Sequence, residues 1–231
     1  MNIIKVFFNY LSNLFRVVLL IGKGVKFSRP FSVKIRGKLQ VGNDIYIGSN
    51  VNITGDIQLG DGVCIEDNCS LSRSNLFDGV RIKSNSLVED STIGPHSFVG
   101  PFARIRANSK VGKNAQIGNF VEIKNCNIGN SARINHMAFI GDAEIDDEVT
   151  IGAGVITCNH DGLNINRTQI KKGAYVGSNS NLVAPVVIEE NSTIGSGSTI
   201  TSDTLRNTLT LARSRQITVE GWEKKTIKEE G

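Results

Sequence analysis

An aliphatic residue returns at every sixth position over most of this 231-residue chain, as at Ile35, Val41, Ile47, Ile53, Leu59, Ile65 and Leu71. The frame slips by one and resumes at Leu76, Ile82 and Val88, then at Ile93, Val99, Ile105, Val111, Ile117 and Ile123. Further slips lead to Ile128, Ile134 and Ile140, then Ile145 and Ile151, and after a break to Ile170, Val176, Leu182, Ile188, Ile194 and Ile200. A helix repeats every 3.6 residues and cannot carry this pattern. A six-residue period marks a parallel β-helix, in which each hexapeptide is a short strand and a turn. Its aliphatic residue points into a shared core, and the Gly that often follows (Gly42, Gly48, Gly60, Gly94) tolerates the backbone of the corner.

The pattern resembles the left-handed parallel β-helix of hexapeptide-repeat acyltransferases, an all-β fold with three hexapeptides to a triangular coil of 18 residues. Residues 35–200 then make about nine coils. We expect an apolar, basic amphipathic helix over residues 1–27, a β-helix over 28–205 and a C-terminal tail over 206–231. The frame breaks across "TCNHDGLNINRTQ", residues 157–169, which is expected to leave the solenoid as a loop on a binding face.

Composition narrows the function classes. With 39% hydrophobic and 21% charged residues the chain is too apolar for disorder. Its four cysteines, Cys64, Cys69, Cys126 and Cys158, form no CxxC pair, and we read them as buried thiols of a reducing compartment. The net charge of +4 is unevenly spread. Residues 1–43 hold eight basic side chains and no acid, while the remainder holds 18 basic and 22 acidic residues. A basic end on an acidic body suits an anionic membrane surface. It does not suit nucleic acid, because these basic residues mix with a long aliphatic run.

That run is "IIKVFFNYLSNLFRVVLLI", residues 3–21, with Lys5, Asn9, Ser12 and Arg16 along one narrow helical stripe. No small-residue cleavage site follows it, and its internal charges and asparagines argue against a spanning helix. Two readings stay open, and one helix could serve both: a cap over the open end of the solenoid, as terminal units of repeat proteins need, and peripheral contact with the inner face of the cytoplasmic membrane.

The frame also aligns polar residues. Arg106 and Lys124 each follow a core isoleucine and lie 18 apart, so they stack in adjacent coils about 4.8 Å apart. Stacked cations point to an anion between them, such as a phosphate or carboxylate; the bland alternative is two side chains splayed into water. His136, one of three histidines, stands two residues after Ile134, with Asn119 beneath it. The asparagine could fix its tautomer, and a histidine at a turn can act as a general base near neutral pH. A structural histidine is the competing reading.

The stretches "GPFARIRANSKVGKNAQIGNFVEIKN", "GDAEI", "IGAGVITCNHDG", "VGSNSNLVAPVVI" and "EGW" are similar to the acetyltransferase domain of the bacterial bifunctional N-acetylglucosamine-1-phosphate uridyltransferase/glucosamine-1-phosphate acetyltransferase. The resemblance covers roughly residues 40–222 and is densest from 94 to 200. No glycine-rich nucleotide motif precedes the solenoid, and the expectation is a chain without the uridyltransferase domain. The resemblance implies a homotrimer with active sites between neighbouring solenoids and acetyl-coenzyme A as the acyl donor. It implies that His136 is the general base, that Arg106 and Lys124 bind the sugar phosphate, and that Asn159 positions the substrate. It places Ser178 and Ser196 against coenzyme A and Arg213 near the coenzyme's phosphates. This chain departs from the family at Phe139 and His160, where the family has Tyr, at Thr150, where it has Asn, and at Ile165, where it has a phosphate-binding Lys. Phe139, Thr150 and His160 therefore mark an altered acceptor site.

The expectation is an acetyl-coenzyme A-dependent N-acetyltransferase acting on an amino sugar, sugar phosphate or sugar nucleotide in cell-envelope or surface polysaccharide synthesis. The alternatives are a sugar O-acetyltransferase and a non-catalytic scaffold. A zinc enzyme on the same solenoid needs three converging histidines, and the slips between His96 and His136 keep those two from stacking. No metal is expected.

Overall fold

The computed structural model describes residues 3–222, with side chains from Phe8 onward except that of Asn9. The side chains of Lys5 and Asn9, half of the polar stripe read from the sequence, lie outside the described residues, as do residues 223–231. The described residues form one α-helix, Ile3–Gly22, a short 3-10 turn at Pro30–Ser32, and a three-sided, left-handed parallel β-helix. The first face has eleven strands, from Lys26–Phe27 to Leu209–Thr210. The second has ten, from Lys34–Arg36 to Thr199–Ile200, and the third has nine, from Leu39–Val41 to Val186–Ile188. The solenoid thus makes about ten coils, one more than the hexapeptide count, because strands form beyond both ends of the aliphatic frame.

The register follows the frame. Ile105 pairs with Ile123 across 18 residues, and Ile123 with Ile140 across 17, so each one-residue slip shortens a corner and leaves the stack of core side chains unbroken. Ile47, Ile65, Ile82, Ile105, Ile117 and Ile123 are among the fully buried side chains. Each such burial contributes roughly 1.5–3 kcal/mol, which drives the coil closed despite strands of only two to four residues. The corners need a left-handed residue, and Asn50, Asn68, Asn114 and Asn125 take φ of 52–60°, which asparagine tolerates. Buried serines satisfy the corner backbone: Ser97 donates to the Gly112 carbonyl at 2.7 Å and accepts from the Ala115 N–H at 2.8 Å. Of the cysteines, Cys69 and Cys126 are buried, with desolvation pushing each thiol up to about 11; Cys64 and Cys158 are half-buried.

The break in the frame has a local cause. Thr157 occupies the core column between Ile140 and Leu182. Its hydroxyl accepts from the Gly141 N–H at 2.8 Å and donates to the Gly141 carbonyl at 3.0 Å, where the ladder between neighbouring strands is interrupted. The chain then leaves the corner and returns at the buried Thr168. The excursion is organised by Asp161, whose Oδ1 accepts from the Leu163 and Asn164 N–H groups and whose Oδ2 accepts from Asn166. These bonds, that of Asn164 first, hold the exposed carboxyl down to about 2.

The helix sits on the axial end of the solenoid. Val17 and Leu20 are buried against the first coil. Asn13 donates to the Val33 carbonyl at 2.8 Å and accepts from the Ile35 N–H at 2.7 Å, and Arg16 donates to the Gly37 carbonyl at 2.7 Å. These are edge groups of the first coil, which no preceding strand can satisfy. The helix is therefore a cap. Among the described residues, no helix is long and apolar enough to cross a membrane.

Candidate functional site

His136 ends the strand Arg133–His136 on the first face, at the corner leading to the second. It pairs in register with Asn119, and Asn119 Oδ1 lies 2.6 Å from His136 Nδ1. An amide oxygen can only accept, so the neutral ring carries its proton on Nδ1 and presents Nε2 with a lone pair. The ring is exposed, and this nitrogen is available to a ligand.

Next to it runs a groove of about 560 Å³ lined by Phe98, Pro101, Phe102, Phe120, Asn119 and His136. Phe102 and Phe120 stack at 5.4 Å between ring centroids, and Met137 continues the column one coil further. Both phenylalanines hold left-handed backbone, φ 55° and 57°, a costly conformation for a bulky residue. All three side chains remain half exposed or more. The hexapeptide frame did not single them out, because they fall at corner positions outside the core column.

Arg106 and Lys124 pair in register on the second face, as their spacing predicts. The charge balance around them is different from the one the spacing implies. Arg106 Nε donates to Glu122 Oε1 at 2.7 Å, and Lys124 Nζ lies 3.6 Å from Asp142 Oδ2. Each cation has a carboxylate partner, although Arg104 also approaches Glu122 at 3.8 Å, and this pairing lowers the electrostatic demand for an external anion. Both remain half-buried rather than splayed into water.

Asp142 is the node of this edge. Its side chain is 4% exposed and receives Asn125 Nδ2 on Oδ1 and Asn159 Nδ2 on Oδ2, both at 2.5 Å. Burial pulls its carboxyl upward, but the two amide bonds and Lys124 outweigh burial and hold it below the usual carboxylate range. Asn159 is thus fixed at the root of the loop, on the same carboxylate oxygen that Lys124 approaches. Gly141, in register above Lys124, has no room for a side chain: a Cβ there would lie 2.8 Å from the Phe139 ring and 3.1 Å from Asn159 Nδ2. Asp142 and Gly141 lie within "GDAEI", yet their roles depend on contacts between coils that the motif alone does not reveal.

The remaining residues fall into two groups. Phe139 is half-buried on the second face, between Glu122 below and Ile156 above, in the span that separates His136 from the Lys124 edge. His160 is exposed in the loop, bridged to Ile165, with Nδ1 accepting from the Gly162 N–H at 3.1 Å. Thr150 lies on the first face between Arg133 and Tyr175. Ser178 and Ser196 stand two residues beyond Val176 and Ile194, which stack on Ile151 and Ile134, so they continue the corner line of His136 toward the C-terminal end. Arg213 is exposed and follows Ala212, whose N–H donates to Ser198 Oγ at 3.2 Å and whose carbonyl accepts from Thr199. His96 stands at a different corner, between the third and first faces, away from His136.

The architecture is a three-sided parallel solenoid with a hexapeptide core and a histidine-bearing corner, and its sequence is similar to that of bacterial hexapeptide transferases. Residues 32–126 match the GMPPB C-terminal domain, and residues 167–202 match the bacterial transferase hexapeptide (six repeats). The chain is 42% identical over 89% of its length to bifunctional protein GlmU of Marinobacter nauticus, and 46% identical over 89% to that of Methylococcus capsulatus. It spans 45% of the length of each of these relatives. In shape it is similar to the UDP-N-acetylglucosamine acyltransferase of Campylobacter jejuni, at 22% identity and a TM-score of 0.49, over 80% of this chain and 70% of that one.

Proposed function

We propose that this protein is an N-acetyltransferase that moves the acetyl group of acetyl-coenzyme A to an amino sugar, sugar phosphate or sugar nucleotide in cell-envelope synthesis. The observation that carries the reading is the Asn119–His136 bond, which leaves Nε2 as an exposed base. In the reaction, Nε2 accepts a proton from the acceptor amine as the amine nitrogen attacks the thioester carbonyl. The tetrahedral adduct collapses with cleavage of the carbon–sulfur bond, and the imidazolium returns the proton to the leaving thiolate. The products are an amide and the free thiol of the coenzyme.

The layout supports two ligand paths that cross at His136. Ser178 and Ser196 extend from it along the corner line, with Arg213 beyond them, and would hold the coenzyme. The acceptor would lie across the second face over Phe139, with Arg106, Lys124 and Asn159 at its far edge and Thr150 and His160 bordering it. The bond to Glu122 engages Nε, and among the described residues the Arg106 guanidinium makes no other hydrogen bond, so its Nη groups can serve an acceptor phosphate.

The reading includes a homotrimer. The exposed column of Phe102, Phe120 and Met137 beside His136 is an apolar strip that a neighbouring solenoid would cover. A sedimentation measurement giving a monomer at micromolar concentration would remove the shared site. The reading also includes a cytoplasmic protein in peripheral contact with the inner face of the membrane through its N-terminal segment.

The decisive experiment follows thiol release from acetyl-coenzyme A with amino sugars, their 1-phosphates and their nucleotide conjugates, alongside sugars that offer only hydroxyls. Turnover confined to amine acceptors is expected. Turnover confined to hydroxyl acceptors would convert the protein to an O-acetyltransferase, and none with any acceptor would leave a scaffold.

A further inference from the structure

We infer that the N-terminal end of the solenoid is a docking surface for an anionic lipid bilayer, with the capping helix lying in the plane of the interface. The proposal rests on the peripheral-contact reading and gives that contact its partner and its residues; it is independent of the acetyl-transfer chemistry.

The helix has two apolar faces and needs only one of them for the solenoid. Val17 and Leu20 face the first coil and are buried. On the opposite side, at helical spacing, Leu11, Phe15, Val18 and Leu19 are 42%, 64%, 55% and 51% exposed. A cap needs an apolar inner face and a polar outer one. This outer face is apolar, which a water-facing cap has no reason to be. The helix cannot leave the end and span a bilayer without breaking the Asn13 and Arg16 bonds to the first coil. It has the composition of a helix that lies on a surface.

The charge around it names the surface. Arg16, Lys23, Lys26, Arg29, Lys34, Arg36 and Lys38 occupy the helix and the first coil, and no acidic residue precedes Asp44. Lys34, Arg36 and Lys38 are exposed on the coil directly beneath the helix. Asp44 approaches Lys26 at 3.7 Å, with both side chains largely exposed, so this pair is weak. An apolar stripe ringed by basic residues is complementary to acyl chains beneath anionic headgroups. The strands of the first face rise about 4.8 Å per coil, and His136 lies six coils above Lys26–Phe27. End-on docking therefore holds the base about 29 Å above that first strand, and farther from the lipid by the thickness of the helix, about 10 Å.

The test is flotation of the full chain with vesicles of phosphatidylglycerol and phosphatidylcholine, and with vesicles of phosphatidylcholine alone. Two triple variants on exposed positions are compared, Leu11→Gln/Phe15→Gln/Leu19→Gln and Lys34→Gln/Arg36→Gln/Lys38→Gln. The wild type is expected to float with the anionic vesicles and to be released by salt. The basic triple should weaken binding on the order of 100-fold, from about fivefold per charge near the surface. The apolar triple should lose binding as well. Both variants should keep the wild-type turnover of acetyl-coenzyme A in buffer. Equal flotation with neutral vesicles would keep a membrane contact and overturn the anionic docking. No flotation with either vesicle would overturn both. A smaller sedimenting mass for the apolar triple, without vesicle binding by the wild type, would assign the face to a second copy of this chain.

Discussion

Asn119 Oδ1 sits one coil below His136 and 2.6 Å from its Nδ1, so an element of the solenoid's own backbone register selects the tautomer of the proposed base. Replacing His136 by Ala should lower kcat by about 10²–10⁴-fold with the fold and coenzyme binding intact. The loss should shrink at high pH, where the acceptor amine deprotonates unaided. Asn119→Leu should cost about tenfold, the worth of one hydrogen bond near 1.4 kcal/mol. If His136→Ala leaves turnover unchanged, or unfolds the coil, the histidine is structural.

Arg106→Gln and Lys124→Gln should each raise the apparent KM for a phosphorylated acceptor by roughly 10- to 150-fold, a charge-assisted bond of about 1.5–3 kcal/mol. Affinity for the coenzyme should stay level. Lys124→Gln leaves Asp142 without its cation and Arg106→Gln leaves Glu122 with only Arg104 at 3.8 Å, so thermal melts must accompany the kinetics. Equal KM values for every phosphorylated acceptor, in a variant that melts normally, would assign these pairs to surface structure.

Asp142 ties Lys124, Asn125 and Asn159 together, and Asp142→Ala should destabilise the protein by about 1–3 kcal/mol by orphaning their donors. The pH dependence has a definite sign. The folded carboxyl titrates below the ordinary value near 3.9, so its contribution is fully present above about pH 4 and is lost as pH falls through the lower folded value. Asp142→Asn should flatten that acid limb in a urea titration. An acid limb identical in the variant and the wild type would show that other carboxylates govern it.

Thr157→Val keeps the shape of the core column and removes the hydroxyl that serves both backbone groups of Gly141. A loss of about 1–3 kcal/mol in denaturant unfolding is expected, together with weaker protection of the Gly141 amide in hydrogen exchange. A neutral outcome in both would mean that water takes over these bonds. Gly141→Ala should fail differently, by displacing the Phe139 ring and Asn159.

The repeat by itself determined which residues stack. A six-residue period with one-residue slips is a local, countable property, and it placed Ile105 on Ile123, Arg106 on Lys124 and Asn119 on His136, all of which pair in register. It also showed where the frame would break, because a polar run cannot continue an aliphatic column. It could not show what each polar side chain bonds to. The carboxylate partners of the two cations, Glu122 on the outer side of a strand and Asp142 at a buried corner, stand outside the aliphatic column, where the period is silent. Nor could periodicity tell that Thr157 fills the core by bonding to Gly141, since a threonine in that column reads as a missing aliphatic. The helix shows the division most clearly. Its sequence is apolar on both sides, so pattern alone left cap and membrane contact equally open. Only the open edge of the first coil decided the inner face: the unsatisfied Val33 carbonyl and Ile35 N–H required a donor and an acceptor, and Asn13 supplies both.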